Sequence, residues 1–197
     1  MEETQLLQER KGYKIYATDD TLIRRVEFTG PHAAFDNNLS CYIFEMLRDE
    51  EVSCHYVGQI SDKEMSIIKL TDIPLDFVVD CSIEPEITYI KHEEGDKTRF
   101  YTRQEVLDSE LLSEDALSAM DGVAFHLSNM LVDFFARKNL VLATITYNFG
   151  NLAEHFVVLA GQFTADTMCL LDPETGLRLD PNTMDNAYDI ILERMNG

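Results

Sequence analysis

The stretch TITYNFG, residues 144–150, is the first place where residue types and spacing suggest a site. Side chains alternate across a β-strand, so Thr144, Thr146 and Asn148 share one face, while the apolar and aromatic residues between them share the other. Hydroxyl and amide groups can orient a ligand through hydrogen bonds, but they carry no charge. We interpret the strand either as the floor of an active site or as the floor of a cleft that has lost its activity.

Three basic residues surround Gly12 in the segment RKGYK, residues 10–14. Arg10, Lys11 and Lys14 could contact phosphate groups across a strand pair, because arginine and lysine are the usual cationic partners of phosphate. The same pattern is typical of a solvated hairpin edge that lysines protect from aggregation. Both interpretations stay open.

The chain contains no common catalytic or cofactor motif. Glycine-rich phosphate loops, dinucleotide fingerprints and the G-x-S-x-G nucleophile motif are all missing. The four cysteines and five histidines show neither C-x-x-C nor H-x-x-x-H spacing, so we expect reduced thiols and no metal site. The acidic runs RDEEVS and KHEEGDK lack a calcium-loop pattern and are interpreted as solvated faces. His126 is expected on a helix surface or in the core, and Cys41 and Cys169 in the core.

The chain is strongly acidic. Its 197 residues include 36 Asp and Glu against 16 Lys and Arg, a formal net charge of -20 at pH 7. Such a surface disfavours nucleic acid and anionic membranes, whose binding needs cationic side chains. The N-terminal segment lacks the apolar core of a signal peptide, and no apolar run approaches the roughly 20 residues that span a bilayer. We therefore expect a soluble, cytoplasmic protein with no nucleic-acid or membrane partner.

Strand patterns dominate the first third of the chain. Segments 12–18 and 22–28 flank a short polar turn and predict a hairpin. Asp36 is the expected N-cap of a helix whose apolar residues recur at helical spacing. That apolar stripe comprises Leu39, Tyr42, Ile43, Met46 and Leu47. The strands expected next are 53–60, 64–70 and, after a connection at 71–74, LDFVVDCS.

The rest of the chain alternates helices and strands. A hairpin tip is expected around Gly95, and TRQE at 102–105 has the form of a capping box. A long helix is predicted from Ser113 to Lys138, and a last helix is predicted to begin at Asp180, with Pro181 in its first position. The remaining predicted strands are 140–149, 154–160 and 167–172, the first two joined by a turn at 150–153.

These elements predict an α+β fold made of two lobes. The N-terminal lobe, residues 1–73, is a small antiparallel β lobe with one helix. The C-terminal lobe, residues 74–197, combines a sheet with long helices. The boundary is placed near Ile73, because Pro74 holds the preceding residue in extended geometry.

Several local strings, in this order, resemble SAICAR synthetase, an ATP-dependent ligase of purine biosynthesis that joins aspartate to a carboxylated aminoimidazole nucleotide. KGYKIYATDD resembles the family's opening strand, FDNNLSCYIFEML the start of its asparagine-containing helix, and IIKLTDIPLDFVV its crossing between lobes. RKNLVLATITYNFG and FVVLAGQFTAD resemble two later strands. The resemblance runs from about Leu6 to Tyr188 and implies a fold in which ATP lies between a small and a larger lobe.

The chain departs from the family at the positions that carry its chemistry. The family's D-F-K-L-E-F-G strand has Asp, Lys and Glu where this chain has Thr144, Thr146 and Asn148. Its G-D-E turn is replaced by Ala160, Gly161 and Gln162, although Asp166 retains an acid nearby.

Other departures affect the family's anion-binding segments. Its R-N-R-A-A-G-S segment falls on residues 80–86, where Asp80 and Ser82 replace two arginines. Its S-A-G-D-G loop has no counterpart between Phe28 and Asn37. One lysine of the opening strand aligns with Lys11, and Tyr13 stands in place of the other.

The leading hypothesis is a SAICAR-synthetase-like protein without ligase activity, which needs no cofactor and has a binding or assembly role. An alternative is a divergent ligase that uses ATP and magnesium, with Lys11, Lys14 and Lys69 toward the nucleotide and Asp166 toward the metal. A third possibility is a structural subunit that associates with itself or with another protein. The sequence does not name that partner.

Overall fold

The chain folds as two compact units, described by a computed structural model that covers residues 5–93, 97–153 and 156–196. One unit comprises the residues up to Asp72 together with Gly150–Thr164, and the other comprises Ile73–Phe149 together with the residues from Ala165 onward. The lobes predicted from the sequence, residues 1–73 and 74–197, place 150–164 in the C-terminal lobe. Backbone hydrogen bonds from Leu159 to Ser53 and from His55 to Leu159 explain why this segment belongs to the first unit.

The first unit contains a five-stranded antiparallel sheet and one helix. The elements of this sheet and helix are β1 (Leu6–Arg10), β2 (Tyr13–Ala17), β3 (Ile23–Phe28), α1 (Ala33–Asp49), β4 (Tyr56–Ser61) and β5 (Glu64–Ile68). The strand order is β1-β2-β3-β5-β4, with every neighbouring pair antiparallel. The predicted hairpin is confirmed as β2 and β3. The sequence reading missed β1, whose exposed residues lack a clear alternation.

Helix α1 begins one turn earlier than predicted. Its N-cap is His32, so the prediction of Asp36 as the cap is wrong. Ala33 is buried, and the helix extends to it at the N-terminus. Asp36 lies in the first turn, where its negative charge interacts favourably with the helix dipole. The buried face of α1 comprises Ala33, Asn37, Leu39, Ser40, Cys41, Ile43, Phe44 and Leu47.

The second sheet has six strands. The remaining elements are β6 (Thr71–Asp80), β7 (Glu86–Glu93), β8 (Lys97–Tyr101), α2 (Arg103–Asp108), α3 (Glu114–Arg137), β9 (Val141–Ala153), β10 (Phe156–Ala160), β11 (Met168–Leu171) and α4 (Ala187–Asn196). The strand order is β10-β9-β6-β7-β8, and β11 also pairs with β9. The predicted tip at Gly95 lies outside the described residues.

Capping chemistry explains where two of the helices begin. Thr102 accepts a hydrogen bond from the Glu105 backbone while the Glu105 side chain returns to Thr102, which confirms the predicted capping box. The Ser113 side chain caps α3 by accepting from the Ala116 backbone, so the helix begins where the sequence predicts. Asp180 accepts from the Asn182 backbone but forms only a local turn. Helix α4 starts at Ala187, so the predicted start at Asp180 is wrong.

Two connections predicted from proline and glycine are strand in the structure. Segment 71–74 belongs to β6, with Pro74 exposed within it. Residues 150–153 continue β9, so the predicted turn there is wrong. Gly150 is buried, and a side chain there would meet Leu70, so the glycine serves close packing and not chain reversal.

Helix α3 covers one face of the second sheet. The Ser128 and Tyr147 hydroxyls lie 3.1 Å apart, and the Tyr89 hydroxyl donates to Asp121 of α3 at 2.8 Å. Phe77 packs edge-on against Tyr89 and Phe149 on this face. The side chains of the opposite face are therefore free of the helix. In the part of the chain that is described, no helix has both the length and the apolarity to cross a membrane.

Candidate functional site

The polar face of β9 has the alternation that the sequence predicts. Ile145, Tyr147 and Phe149 are buried under α3, while the residues between them are only partly buried. Thr144, Thr146 and Asn148 therefore lie on the sheet face that α3 leaves uncovered. We refer to this side of the second unit's sheet as the outer face.

Asn148 forms a hydrogen-bonded chain with two residues that the sequence reading did not select. Its Nδ2 atom donates to Asp76 Oδ1 on β6 at 2.6 Å. The other oxygen of that carboxylate, Oδ2, lies 2.8 Å from His92 Nε2 on β7. Because a carboxylate accepts, His92 carries its proton on Nε2 in this arrangement. Three neighbouring strands thus supply an amide, a carboxylate and an imidazole in one line across the outer face.

The sequence gives only a weak indication that Asp76 and His92 belong to the candidate site. Asp76 is the single charged residue within the otherwise apolar segment IPLDFVV. Strand alternation puts it opposite the buried Phe77, on the same face as Ile90, its partner across the β6–β7 pair. His92 follows Ile90 by two residues and so shares that face. The register between strands, which brings the two together, is a property of the fold.

Asp80 and Ser82 lie at the end of β6, beside the start of the β9 polar face. The Cys81 backbone N–H donates to the Ala143 carbonyl at 2.8 Å, which holds the end of β6 beside β9. The Asp80 carboxylate accepts from the Ser82 backbone at 2.9 Å, so the segment closes on itself as a turn. A carboxylate therefore stands where the family resemblance implies an arginine.

Asp166 is exposed and lies next to a residue that contacts β9. Thr146 donates its backbone N–H to the Thr167 carbonyl at 2.8 Å. This backbone bond places the 165–167 segment alongside the edge of β9, directly before β11, which pairs with β9. The structure thus brings Thr144, Thr146 and Asn148 into the same unit as Asp80, Ser82 and Asp166.

Gly161 and Gln162 belong to the first unit. Gly161 has a φ of 81°, a left-handed conformation that favours glycine and that asparagine or aspartate also adopts more readily than other residues. Gln162 is buried. Ser40 of α1 accepts from the Phe163 backbone at 3.1 Å and donates to its carbonyl at 2.9 Å, which fixes the segment on the helix. These hydrogen bonds to α1 and the burial of Gln162 make the turn part of the packed core of the first unit.

His55 stabilises the same turn through a hydrogen bond to the Gly161 carbonyl. Its Nε2 atom lies 3.0 Å from the Gly161 carbonyl, and its ring packs against Phe44. Burial of the imidazole lowers the pKa of His55 to about 4, although the bond to Gly161 opposes this shift. The neutral ring therefore donates Nε2–H to the carbonyl at neutral pH. His55 is a structural residue that sequence spacing gave no reason to select.

The three lysines proposed for nucleotide binding lie in the first unit. Lys11 is exposed between β1 and β2, and Lys69 is exposed after β5. Lys14 lies 3.2 Å from Glu9 on the neighbouring strand. A hydrogen bond and the charge of Glu9 raise the pKa of Lys14. The ammonium of Lys14 is therefore already paired with a carboxylate.

A second cation on this sheet is engaged more fully. Arg25 of β3 forms an ion pair with Glu64 of β5 and lies 3.9 Å from Glu27. Its guanidinium also stacks over the Tyr16 ring, with 4.3 Å from the central carbon to the ring centroid. These contacts leave the sheet face with paired charges of both signs.

The fold is that of solved SAICAR synthetases. A structure titled as the phosphoribosylaminoimidazole-succinocarboxamide synthase of Ehrlichia chaffeensis superposes with a TM-score of 0.89 at 18% identity, covering 98% of both chains. The SAICAR synthetase of Pyrococcus horikoshii OT3 gives a TM-score of 0.84 at 20% identity, with 94% of this chain and 97% of that chain covered. At these identities the structural likeness establishes the fold.

Sequence comparison establishes the family. The sequence model of the SAICAR synthetase family matches residues 82–188, more than half of the chain. The phosphoribosylaminoimidazole-succinocarboxamide synthase of Halalkalibacterium halodurans is 28% identical, with 99% of this chain and 98% of the relative covered. The synthase of a Thermoanaerobacter species is 27% identical over the full length of both chains. The chain belongs to the SAICAR synthetase family.

The residues on the outer face do not fit a magnesium ion with its nucleotide. Magnesium prefers several hard oxygen ligands, of which carboxylates are the usual protein contribution. Thr144, Thr146 and Asn148 offer hydroxyl and amide groups, and both oxygens of Asp76 already accept hydrogen bonds. Within residues 5–93, 97–153 and 156–196, no three His, Cys, Asp or Glu side chains are grouped as a metal site. The donor set disagrees with the cofactor that the family resemblance implies.

Proposed function

We propose that this protein is a member of the SAICAR synthetase family that retains the fold and lacks the ligase activity. Its role is then binding or assembly, in a purine-related or another cytoplasmic process. The observation that carries the proposal is the hydrogen-bonded chain of Asn148, Asp76 and His92, together with two threonines on the same strand. The uncharged Thr144, Thr146 and Asn148 stand where the resemblance implies charged catalytic groups, and Asn148 donates a hydrogen bond to the neighbouring carboxylate.

Charge at the end of β6 supports the same proposal. All three substrates of the ligase reaction are anionic, so cationic side chains are needed to hold them. Asp80 lies beside β9 instead, and Ser82 is bonded into the same turn. Replacing a cation by an anion turns attraction into repulsion, and a loss of about 2 kcal/mol at each of several contacts lowers a rate by several orders of magnitude.

The direct test is an assay of the purified chain with magnesium, ATP, aspartate and the carboxylated aminoimidazole nucleotide. We expect no product above a protein-free reaction. The Halalkalibacterium halodurans relative, prepared in parallel, is the positive control for the substrates. Product that forms in proportion to the concentration of this chain would contradict the proposal.

A growth test answers the same question in cells. A bacterial strain that lacks its own SAICAR synthetase requires added purine. We expect the chain to leave that requirement unchanged, while the Halalkalibacterium halodurans relative restores growth. Equal amounts of the two proteins must be verified by immunoblot, so that poor expression is not mistaken for inactivity.

The full-length similarity to two synthases favours a second candidate, a divergent ligase with a rebuilt site. Lys11, Lys14, Lys69 and Asp166 are its candidate residues, with Asp166 toward the metal. Magnesium and ATP would then raise the thermal unfolding midpoint, and Lys11→Ala would abolish that shift. Lys63→Ala, an exposed change in the same unit, is the matched control. Under the leading proposal, the wild-type midpoint stays the same with and without the nucleotide.

A binding or assembly role also predicts that the chain has a macromolecular partner, which could be a second copy. Light scattering after size exclusion measures the mass of the purified protein against its chain mass of 22.6 kDa. A mass of twice this value favours self-association as the retained role. A monomer favours a different protein as the partner.

A further inference from the structure

The Asp76 carboxylate lies on the outer face, on the strand between β7 and β9. Its side chain is about a quarter exposed, and it is held from both sides. Asn148 Nδ2 donates to Oδ1 at 2.6 Å, and His92 Nε2 donates to Oδ2 at 2.8 Å. Each oxygen of the Asp76 carboxylate therefore accepts one hydrogen bond from a side chain of the protein itself.

The identity of residue 148 determines this arrangement. An amide can donate a hydrogen bond to a carboxylate, whereas a second carboxylate cannot. If residue 148 were aspartate in the same position, two oxygens would lie 2.6 Å apart. Such a pair is stable only if the two groups share a proton or bind a cation between them.

We propose that Asn148 excludes divalent cations from the outer face by serving as the neutral partner of Asp76. The sheet then folds and stays folded without a metal ion. The isosteric change Asn148→Asp makes the stability of the sheet depend on a bound metal ion. This inference rests on the proposed loss of activity and names Asn148 as the residue that prevents cation binding. Its test measures stability and not turnover, so the two proposals can fail separately.

The experiment compares thermal unfolding of the wild type and Asn148→Asp in EDTA and in manganese or magnesium chloride, at pH 7.5 and constant ionic strength. We expect the wild-type midpoint to be the same in both conditions. We expect Asn148→Asp to unfold earlier in EDTA and to recover by about 5 °C or more in manganese. Manganese is included because it binds carboxylate oxygen well.

The control for added negative charge is Asn129→Asp. Asn129 is exposed on α3, so this variant gains the same charge away from the outer face. We expect its midpoint to respond to manganese as the wild type does. A response equal to that of Asn148→Asp would show general cation binding by an acidic surface, and it would overturn the proposal.

The double variant Asp76→Asn with Asn148→Asp exchanges the two partners and keeps one amide beside one carboxylate. We expect it to be independent of cations again and more stable in EDTA than Asn148→Asp. This comparison remains informative if Asn148→Asp alone does not fold in EDTA. The proposal is wrong if the exchanged pair still needs manganese, or if the wild type binds manganese in a way that Asp76→Asn removes.

Discussion

His55 illustrates how a titratable side chain can act through its neutral form. The imidazole is buried beside Phe44 and donates to the Gly161 carbonyl, so the first unit uses it as a hydrogen-bond donor of fixed orientation. Burial lowers the pKa of His55 to about 4, against about 6.5 in an unfolded chain. The residue is uncharged in the folded protein across the whole physiological range.

This shift predicts how stability changes with pH. Above pH 6.5 the ring is neutral in both states and contributes no pH dependence. Between pH 6.5 and 4 the unfolded chain binds a proton that the folded protein does not, so acidification favours unfolding. For His55, we expect a loss of at most about 2 kcal/mol in the free energy of unfolding between pH 7.5 and 5. Urea unfolding at the two pH values measures it.

The variant His55→Gln isolates the contribution of this histidine. Glutamine keeps a donor for the Gly161 carbonyl but does not titrate, so its free energy of unfolding should fall less between pH 7.5 and 5. Carboxylates and the other histidines titrate in both proteins and cancel in the difference. Equal pH dependence in the two proteins would mean that His55 is accessible to protons in the fold.

At the scale of elements, β9 combines a closely packed buried face with an uncharged polar face. Its buried residues fit under α3, and its closing glycine fits against the chain near Leu70. These features depend on shape, whereas the polar face depends on the identity of Thr144, Thr146 and Asn148. A strand can therefore keep its framework role while its chemistry changes.

Gly150 provides a test of that framework role. A Cβ atom at this position would lie 2.8 Å from the Leu70 Cβ and 3.2 Å from the Thr71 carbonyl oxygen, closer than packed atoms tolerate. We expect Gly150→Ala to destabilise the protein by about 1–3 kcal/mol through overpacking. Chemical unfolding measures the loss. Gly122→Ala on the open side of α3 is the control, since nothing lies within 4 Å of a Cβ there.

The control should differ in sign as well as in size. Gly122 lies inside a helix, where alanine is favoured over glycine by about 1 kcal/mol. We therefore expect Gly122→Ala to stabilise the chain slightly. If Gly150→Ala has no effect, β9 must be able to move away from Leu70 at little cost.

The sequence predicted elements best where local chemistry decides them. The capping box at Thr102 predicted the start of α2, helical spacing from Ser113 predicted α3, and alternation of polar and apolar residues predicted β9. Errors arose where tertiary contacts outweigh local signals. Buried Ala33 extends α1 beyond Asp36, and Gly150 lies within a strand because a second chain segment packs against it.

The candidate site was only partly predictable for a related reason. The alternation rule found the polar residues of β9 without knowledge of the fold. Asp76 meets Asn148 through the pairing of β6 with β9, across a sequence separation of 72 residues, whereas His92 lies 16 residues from Asp76 on the next strand. No local pattern carries that register.

At the scale of the whole molecule, the net charge of -20 is the dominant electrostatic feature. Like charges spread over a small folded protein repel one another, and the unfolded chain relieves that repulsion by expanding. Ion pairs such as Arg25 with Glu64 and Arg194 with Asp172 oppose this effect locally. Both contributions are screened by salt, but they change stability in opposite directions.

We therefore expect the thermal unfolding midpoint to rise when sodium chloride increases from 20 mM to 500 mM. The Debye length falls from about 20 Å to about 4 Å over this range, so long-range repulsion is screened while close, partly buried pairs are affected less. Scanning calorimetry at pH 7.5 measures the midpoint, and sodium sulfate is avoided because it stabilises proteins by exclusion from their surface. A falling midpoint would mean that the ion pairs outweigh the repulsion, and Arg194→Gln should then abolish part of the salt response. A rising midpoint that Arg194→Gln leaves unchanged assigns the response to the acidic surface as a whole.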